Sequence, residues 1–324
     1  TDSKKWIVSA LNDGLAWNAL DFGSAEADPD DIVAPIVFKN QVFITGGQTT
    51  EPFQNIGGAD FPFRRVQGAL IQKGCYAPFT LINASSSFMW VGGGINEQPA
   101  IWQSTGGEPK KVSTTAIDVA LLDFTQEEIA DSFSYSYAQA GQYFVGFSFP
   151  SRTFEYNTIT GLWNERKSIN VDYKGVSSEL RWRANSMITA YGRVLVGDSI
   201  DGRIGEVDDD IYTEYGANIQ RRFSTSPIAG MSDPVFLSAL ELTVESGVGS
   251  YEQQGKIRLA LSKDGKIFDD ERERGFGLRG EYSKRAIWRR LGRRARFAVA
   301  RFSYSDPFKP VVIKLEATIR AKRA

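Results

Sequence analysis

The chain contains no histidine and a single cysteine, Cys75, in 324 residues. The missing imidazole removes the commonest general base, the usual metal ligand and the side chain that titrates near neutral pH. One cysteine excludes an intramolecular disulfide and, without histidine, a zinc site. Cys75 sits between small and apolar neighbours in KGCYAP, and reads as a buried small hydrophobe. A serine or cysteine nucleophile would lack its usual base, and no spacing selects a pair of carboxylates. No catalytic residue, metal or cofactor is therefore expected. No run approaches the ~20 consecutive apolar residues of a membrane helix, so no membrane insertion is expected. The opening TDSKKW has no basic-then-apolar signal pattern. It also lacks an initiator Met, which makes a processed or partial form the expectation.

What is present is aromatic and rich in turns: 12% aromatic residues and 31 glycines against 12 prolines. In Gln142–Arg166, QYFVGFSFPSRTFEYNTITGLWNER, aromatic and β-branched residues alternate around turns at Pro150-Ser151 and Thr160-Gly161. Strands this short cannot bury both faces alone and belong in a larger all-β stack. QVFITG, FMWVG, QYFVG and RVLVG hold the same place in successive units, with glycines at Gly46, Gly92, Gly146 and Gly197. That period of about fifty residues is the signature of propeller blades. Further turns are expected at Asp13-Gly14, Lys39-Asn40, Tyr191-Gly192 and Asp201-Gly202. Trp17 and Phe22 read as the last strand of a unit that begins outside this chain, leaving the propeller incomplete at its N-terminus. QEEIAD, Gln126 to Asp131, reads as a short helical or turn insert.

After Ser226-Pro227 the period stops. FLSALELTVE, GKIRLALS, ARFAVARFSY and VVIKLEATI are alternating strands of a separate antiparallel β-sandwich-like unit. The expected organisation is residues 1–224 as blades and 225–324 as a C-terminal β domain. Charge is polarised along the chain. Of its 38 basic and 39 acidic residues, 14 and 3 lie between Arg279 and Ala324, leaving 24 and 36 for the rest. The two parts therefore carry +11 and −12, which calls for a partner at one end.

Several local patterns have competing readings. SKDGKIF, Ser262 to Phe268, resembles the Asp-box hairpin of sialidases, with Phe268 where that box has Trp. A plain Asp-Gly hairpin is the simpler reading. Glu206 to Asp210, and likewise Asp28, Asp30 and Asp31, lack calcium-loop spacing and read as solvated loops. Gly92-Gly93-Gly94 has no following helix to hold a phosphate and reads as a blade turn. The basic stretch Ser283 to Phe302 has three readings. It could meet a nucleic-acid backbone with Trp288 stacking, join a neighbouring subunit, or form a solvated β edge. The subunit interface ranks first, with Arg285, Arg289, Arg290, Arg293, Arg294 and Arg296 as the candidate residues. A carbohydrate-binding or carbohydrate-active propeller, with Trp90 and Trp102 stacking on sugar, is the alternative function class.

The blade QAGQYFVGFSFPSRTFEYNTITGLWNERKS resembles a strand followed by a T-x-x-Y-(D/N)-x-x-T-G-x-W-x-E-R hairpin. That pattern belongs to the packaged-DNA stabilisation proteins, also called tail hub or nozzle proteins, of short-tailed bacteriophages. NDGLAWNALDFGSAEADPDDIVA, FPFRRVQGALIQKGCYAPFT, FMWVGGG, STTAID and the closing FGLRGEY to SYSDP follow in the family's order. Ala138 to Gly141 lacks the family's common G-H pair. The resemblance implies a structural virion protein, assembled in the host cytoplasm, that closes the portal exit, retains packaged DNA and forms a channel and attachment platform. It implies a homo-oligomeric ring of six that meets a portal-adaptor protein and tail needle and tailspike proteins, with DNA only as cargo. In this reading Tyr156, Gly161, Trp163 and Arg166 mark the family through packing and turn geometry.

Overall fold

The computed structural model describes residues 3–58, 61–171, 174–229, 236–293, 297–309 and 311–320. Its contacts divide the chain into two units, Thr1–Val207 and Asp208–Ala324.

In the first unit a hairpin, β1 (Lys5–Ala10) and β2 (Asp13–Ser24), precedes four antiparallel sheets. The first sheet runs β3 (Ile32–Phe38), β4 (Gln41–Gly46), β5 (Thr50–Asn55), β6 (Phe63–Arg65) in chain order. In the second, β9 (Ser87–Gly93) pairs with β7 (Gly74–Cys75), β8 (Ile82–Ala84) and β10 (Ala100–Ser104), and β11 (Lys110–Lys111) follows β10. Two short helices come next, α1 (Thr115–Leu121) and α2 (Gln126–Ala130). The third sheet is β12 (Phe133–Gln139), β13 (Gln142–Ser148), β14 (Thr153–Asn157), β15 (Trp163–Val171) and β16 (Ser177–Arg181). The fourth is β17 (Ala184–Ala190), β18 (Arg193–Asp198) and β19 (Ile204–Val207). Strands of neighbouring sheets touch in series, β3 with β8, β8 with β12 and β12 with β17. This is the blade plan that the period implies.

The first three sheets bury most of both faces because their neighbours cover them, whereas the fourth leaves Ile188 and Ile204 exposed. Ile44 and Phe53 of the first sheet pack on Trp6 of the hairpin, and Phe43 packs with Phe88 and Trp90 of the second. Val91 and Ile101 meet Val145 and Phe147 of the third, whose Tyr135 and Tyr137 meet Trp182 and Val196 near and in the fourth. Strand β9 consequently has no solvent face: all seven of its residues are buried.

The repeat glycines lie on the second long strand of each sheet, and in each case something occupies the place of a side chain. A Cβ at Gly46 would lie 2.3 Å from the Asp30 carboxylate, and one at Gly197 2.5 Å from Ser186 Oγ. At Gly92 it would lie 1.9 Å from the backbone oxygen of Gly74, and at Gly146 1.9 Å from the Tyr135 ring. The period is thus a record of close approach.

The turns at Lys39-Asn40 and Tyr191-Gly192 form as expected, with all four residues at positive φ. The hairpin β1–β2 turns at Leu11-Asn12, where Asn12 has φ 58°, and Asp13 instead pairs with Ala10. Helix α2 forms with a reciprocal capping box between Thr125 and Glu128. Helix α1 is additional to the elements read from sequence; its Thr114 cap accepts from Ile117 N.

The second unit opens with a ribbon, β20 (Thr213–Glu214) and β21 (Ala217–Asn218). One sheet then contains β22 (Arg221–Ser224), β23 (Ile228–Ala229), β25 (Lys256–Ser262), β26 (Arg272–Gly275) and β28 (Phe297–Tyr304). The other is β27 (Ala286–Arg293), β24 (Phe236–Val244) and β29 (Val312–Arg320), in that spatial order. Leu237, Leu240, Leu242, Leu259, Phe276, Trp288 and Phe302 fill the core between them. Because β22 pairs with β28, this unit begins ahead of the Ser224 position expected from the break in period.

Acid titration follows from two exposed turns. Asp264 accepts from the amides of Ile267 and Lys266 and from Ser262 Oγ, which holds its pKa down at about 2. Asp201, bonded by the Arg203 side chain, is likewise held at about 2. A lowered folded pKa contributes stability that is complete above the unfolded value near 4 and is lost as pH falls through the folded one. Glu51, raised by burial, acts in the opposite sense in the first unit. Stability should therefore be nearly flat between about pH 6 and 8 and fall between about pH 4 and 2. The fall should be steeper in the second unit, and Asp264→Asn should reduce its slope in urea titrations across that range.

Candidate functional site

The basic face forms on β27. Ala286, Trp288 and Leu291 point into the core, and the spacing between the last two reflects an extra residue. Leu237 pairs with Gly292 and Ala239 with Arg289, so two residues of β27 stand opposite one of β24. Arg290, at φ 59°, absorbs the bulge. The result leaves both Arg289 and Arg290 exposed, and neither makes an ion pair with a described residue. Arg285 differs. It forms a two-pronged pair with Glu241 of β24, with Nε 2.5 Å from Oε1 and Nη2 on Oε2. That pairing lowers the Glu241 pKa and raises that of Arg285. Arg285 is thus engaged within its own sheet. Arg293 ends β27, opposite Phe236; Arg294 and Arg296 lie outside the described residues.

Trp288 is no stacking platform. It is 1% exposed, and its indole N–H donates to Arg272 O at 2.6 Å. Trp90 is fully buried and donates to Gly74 O, while Trp102 donates to Gly92 O and lies under the Lys73 ammonium, 4.7 Å from its ring centre. These placements overturn Trp90 as a sugar platform and leave Trp102 partly covered.

The ionisable groups that sequence reading passed over are buried and paired. Glu155 on β14 is 4% exposed and accepts from Arg166 Nη1 of β15 at 3.0 Å and from Tyr137 Oη of β12 at 3.1 Å. Tyr135 reaches the same carboxylate through the gap left by Gly146. The Arg166 guanidinium lies 4.0 Å over the Trp182 ring and joins the third sheet to the start of the fourth. In the first sheet Glu51 pairs with Arg65 at 2.7 Å and accepts from Ala27 N. Glu155 and Glu51 thus each face a guanidinium in their own sheet, a locking arrangement.

The remaining patterns are structural. Asp30 accepts from Gln48 N and Thr49 N beneath Gly46, so it fastens the β4–β5 turn and is not simply a solvated loop residue. Gly92 and Gly93 are the end of β9 rather than a turn, and Gly94 N donates to Glu97. Burial pushes the Cys75 thiol up to about 12. Among the described residues no three Cys, Asp or Glu side chains gather as a metal would require.

A family model described as Bacteriophage P22 Gp10, beta-propeller, matches residues 1–212, and one described as Bacteriophage P22 Gp10, beta-sandwich, matches residues 220–320. The chain belongs to the P22 Gp10 family. Its fold class is that of the family: a β-propeller followed by a β-sandwich. Among curated P22 Gp10 relatives it is similar to the tail hub protein gp10 of Salmonella phage P22, at 21% identity over 278 residues, 83% of this chain and 56% of that protein. The chain therefore spans little more than half of that relative. Solved structures give weaker likenesses. An exo-β-1,3-galactanase from Phanerochaete chrysosporium is 8% identical, with 94% of this chain and 71% of that one covered and a TM-score of 0.27. A family 43 arabinoxylan arabinofuranohydrolase from Bacillus subtilis is 12% identical, with 88% and 66% covered and a TM-score of 0.26. Likenesses at this level carry no argument about this member of the P22 Gp10 family.

Proposed function

We propose that this chain is a structural, non-catalytic component of a phage tail hub. The observation that carries the reading is the match of both units, in order, to the propeller and sandwich of one tail-protein family. In this role the chain closes the portal exit, retains packaged DNA and forms a channel wall and platform for other tail proteins. It assembles as a ring, with a portal-adaptor protein above and needle and tailspike proteins attached, from subunits made in the host cytoplasm. Stiff blades locked by buried ion pairs suit a wall under load. The excess of acidic residues outside the C-terminal segment suits a lumen along which DNA slides, since like charges repel the phosphate backbone.

The exposed pair Arg289-Arg290 serves this reading as a contact to an acidic neighbour, either a second subunit or the adaptor. Charge reversal at both positions leaves the core of the sandwich untouched, because neither side chain enters it. Arg289→Glu with Arg290→Glu is expected to weaken assembly onto portal-adaptor particles at least about tenfold, with an unchanged thermal midpoint. Assembly at the wild-type level would remove this face from the interface.

A further inference from the structure

Two apolar surfaces remain once the blades, the sandwich core and the arginine face are accounted for. The first is the hairpin β1–β2. Its base packs on the first sheet through Trp6, which meets Phe53 and Phe61 edge-on. Its outer part does not pack: Leu11 is 92% exposed, Leu15 93% and Leu20 80%, and Trp17 is more than half exposed. Apolar side chains gathered on one projecting element mark an interaction surface. The hairpin carries Asp13 and Asp21 against Lys5 at its base, and Glu26, Asp28, Asp30 and Asp31 follow it.

The second surface lies in the sandwich. A cavity of about 140 Å³ opens where β22 of one sheet approaches β29 of the other, lined chiefly by Arg221, Phe223, Ile257, Phe302, Tyr304 and Val312. Strands β22 and β29 are both terminal in their sheets. Phe223 and Val312 are exposed along this mouth, and Arg221 and Arg222 make β22 cationic.

We propose that the hairpin β1–β2 is a docking arm whose apolar tip seats in this groove on a second copy of the chain. Three observations select that occupant. The groove is apolar, and its volume is close to the ~150 Å³ of an engineered cavity that takes up a benzene ring, so it accepts one leucine or aromatic side chain. The arm from Trp6 to Ser24 carries Asp13 and Asp21 and no basic residue, whereas Arg221 and Arg222 make β22 of the groove cationic. Finally, among the described residues β2 pairs only with β1 and β29 only with β24, which leaves each an open edge for strand addition. Arm and groove are different surfaces, so the contact is head-to-tail and closes into a ring when the rotation permits. The inference rests on the ring assembly of the proposed function and specifies its contact.

Cysteine cross-linking in the full chain tests it, since Cys75 is fully buried. Chains carrying Leu15→Cys mixed with chains carrying Val312→Cys should yield disulfide-linked dimers, and neither variant alone should. In parallel, Leu15→Asp with Leu20→Asp should weaken self-association at least about tenfold, with an unchanged unfolding midpoint because both side chains are exposed in the single chain. Wild-type association of the aspartate variant overturns the arm, as it would if another segment of the same polypeptide covers the hairpin. Self-linking by Leu15→Cys, with arm meeting arm, overturns it too. Both of those results leave the ring intact. A wild-type chain that stays monomeric at every concentration, alone and with portal-adaptor particles, overturns the ring reading and the arm together.

Discussion

Replacing Arg166 with methionine should destabilise the first unit by about 3 kcal/mol. The reason is the carboxylate left behind. Glu155 has a side chain only 6% exposed, and among the described residues Arg166 supplies its single cation, at 3.0 Å. The hydroxyls of Tyr135 and Tyr137 are weak compensation for a buried charge, and burial already raises both of their pKa values, so neither gives up its proton. Arg166 itself keeps about a third of its surface in water, which places the expected cost at the lower end of the range for breaking buried pairs. The cation over Trp182 adds a smaller loss. Urea unfolding read by hydrogen exchange of the β12–β15 amides gives the cost for this unit separately from the sandwich. The double variant Glu155→Gln with Arg166→Met should recover at least about 1 kcal/mol of the loss, because it removes the orphaned charge. A single variant within about 0.5 kcal/mol of the wild type would show that the pair does not lock the third sheet.

Gly92→Ala is expected to be worse, at about 4 kcal/mol or more, the range that marks a clash with backbone. The added Cβ would stand 1.9 Å from Gly74 O, the same oxygen that accepts from the Trp90 indole at 2.9 Å. Gly74 cannot retreat, because its own Cβ position is 2.2 Å from Gln48 N. The methyl group would therefore meet the Gly74 backbone, which the β4–β5 turn of the first sheet holds in place. Gly14→Ala is the matched control: its Cβ would meet nothing within 4 Å, and it should stay within about 0.5 kcal/mol of the wild type. Thermal unfolding should place Gly92→Ala roughly 10 °C or more below that control. Equal midpoints would mean that the repeat glycines are not close-approach positions.

The same four glycines show how much of the fold could be read from sequence. Their spacing revealed the blades, since one residue type recurred at one place in each unit. Their cause was hidden, because each meets a different obstacle brought in from elsewhere: a carboxylate, a backbone oxygen, a tyrosine ring and a hydroxyl. Trp90 and Trp288 were open to a reading as exposed platforms because alternation assumes one wet face. Trp90 lies on a strand between two sheets, and Trp288 lies on the inner face of a sandwich. Glu155 gave no signal as a buried group in TFEYN, because Tyr137 and Arg166 arrive from other strands. The arginine face was visible as a run of charge, but the bulge that leaves Arg289 and Arg290 exposed rests on a positive φ at a non-glycine residue. Helix α1 was missed although Thr114 and Asp118 are ordinary first-turn residues, because seven residues are too few for a clear amphipathic period.

The measurement that tests the central reading most directly is quantitative mass spectrometry of purified virions from the phage that encodes this chain, with the portal protein as internal reference. A tail-hub component should be present in tail-bearing particles at a fixed ratio to portal, set by a closed ring, and should be absent from heads that have not acquired tails. A chain missing from mature virions, or present without a fixed ratio, would contradict a structural hub.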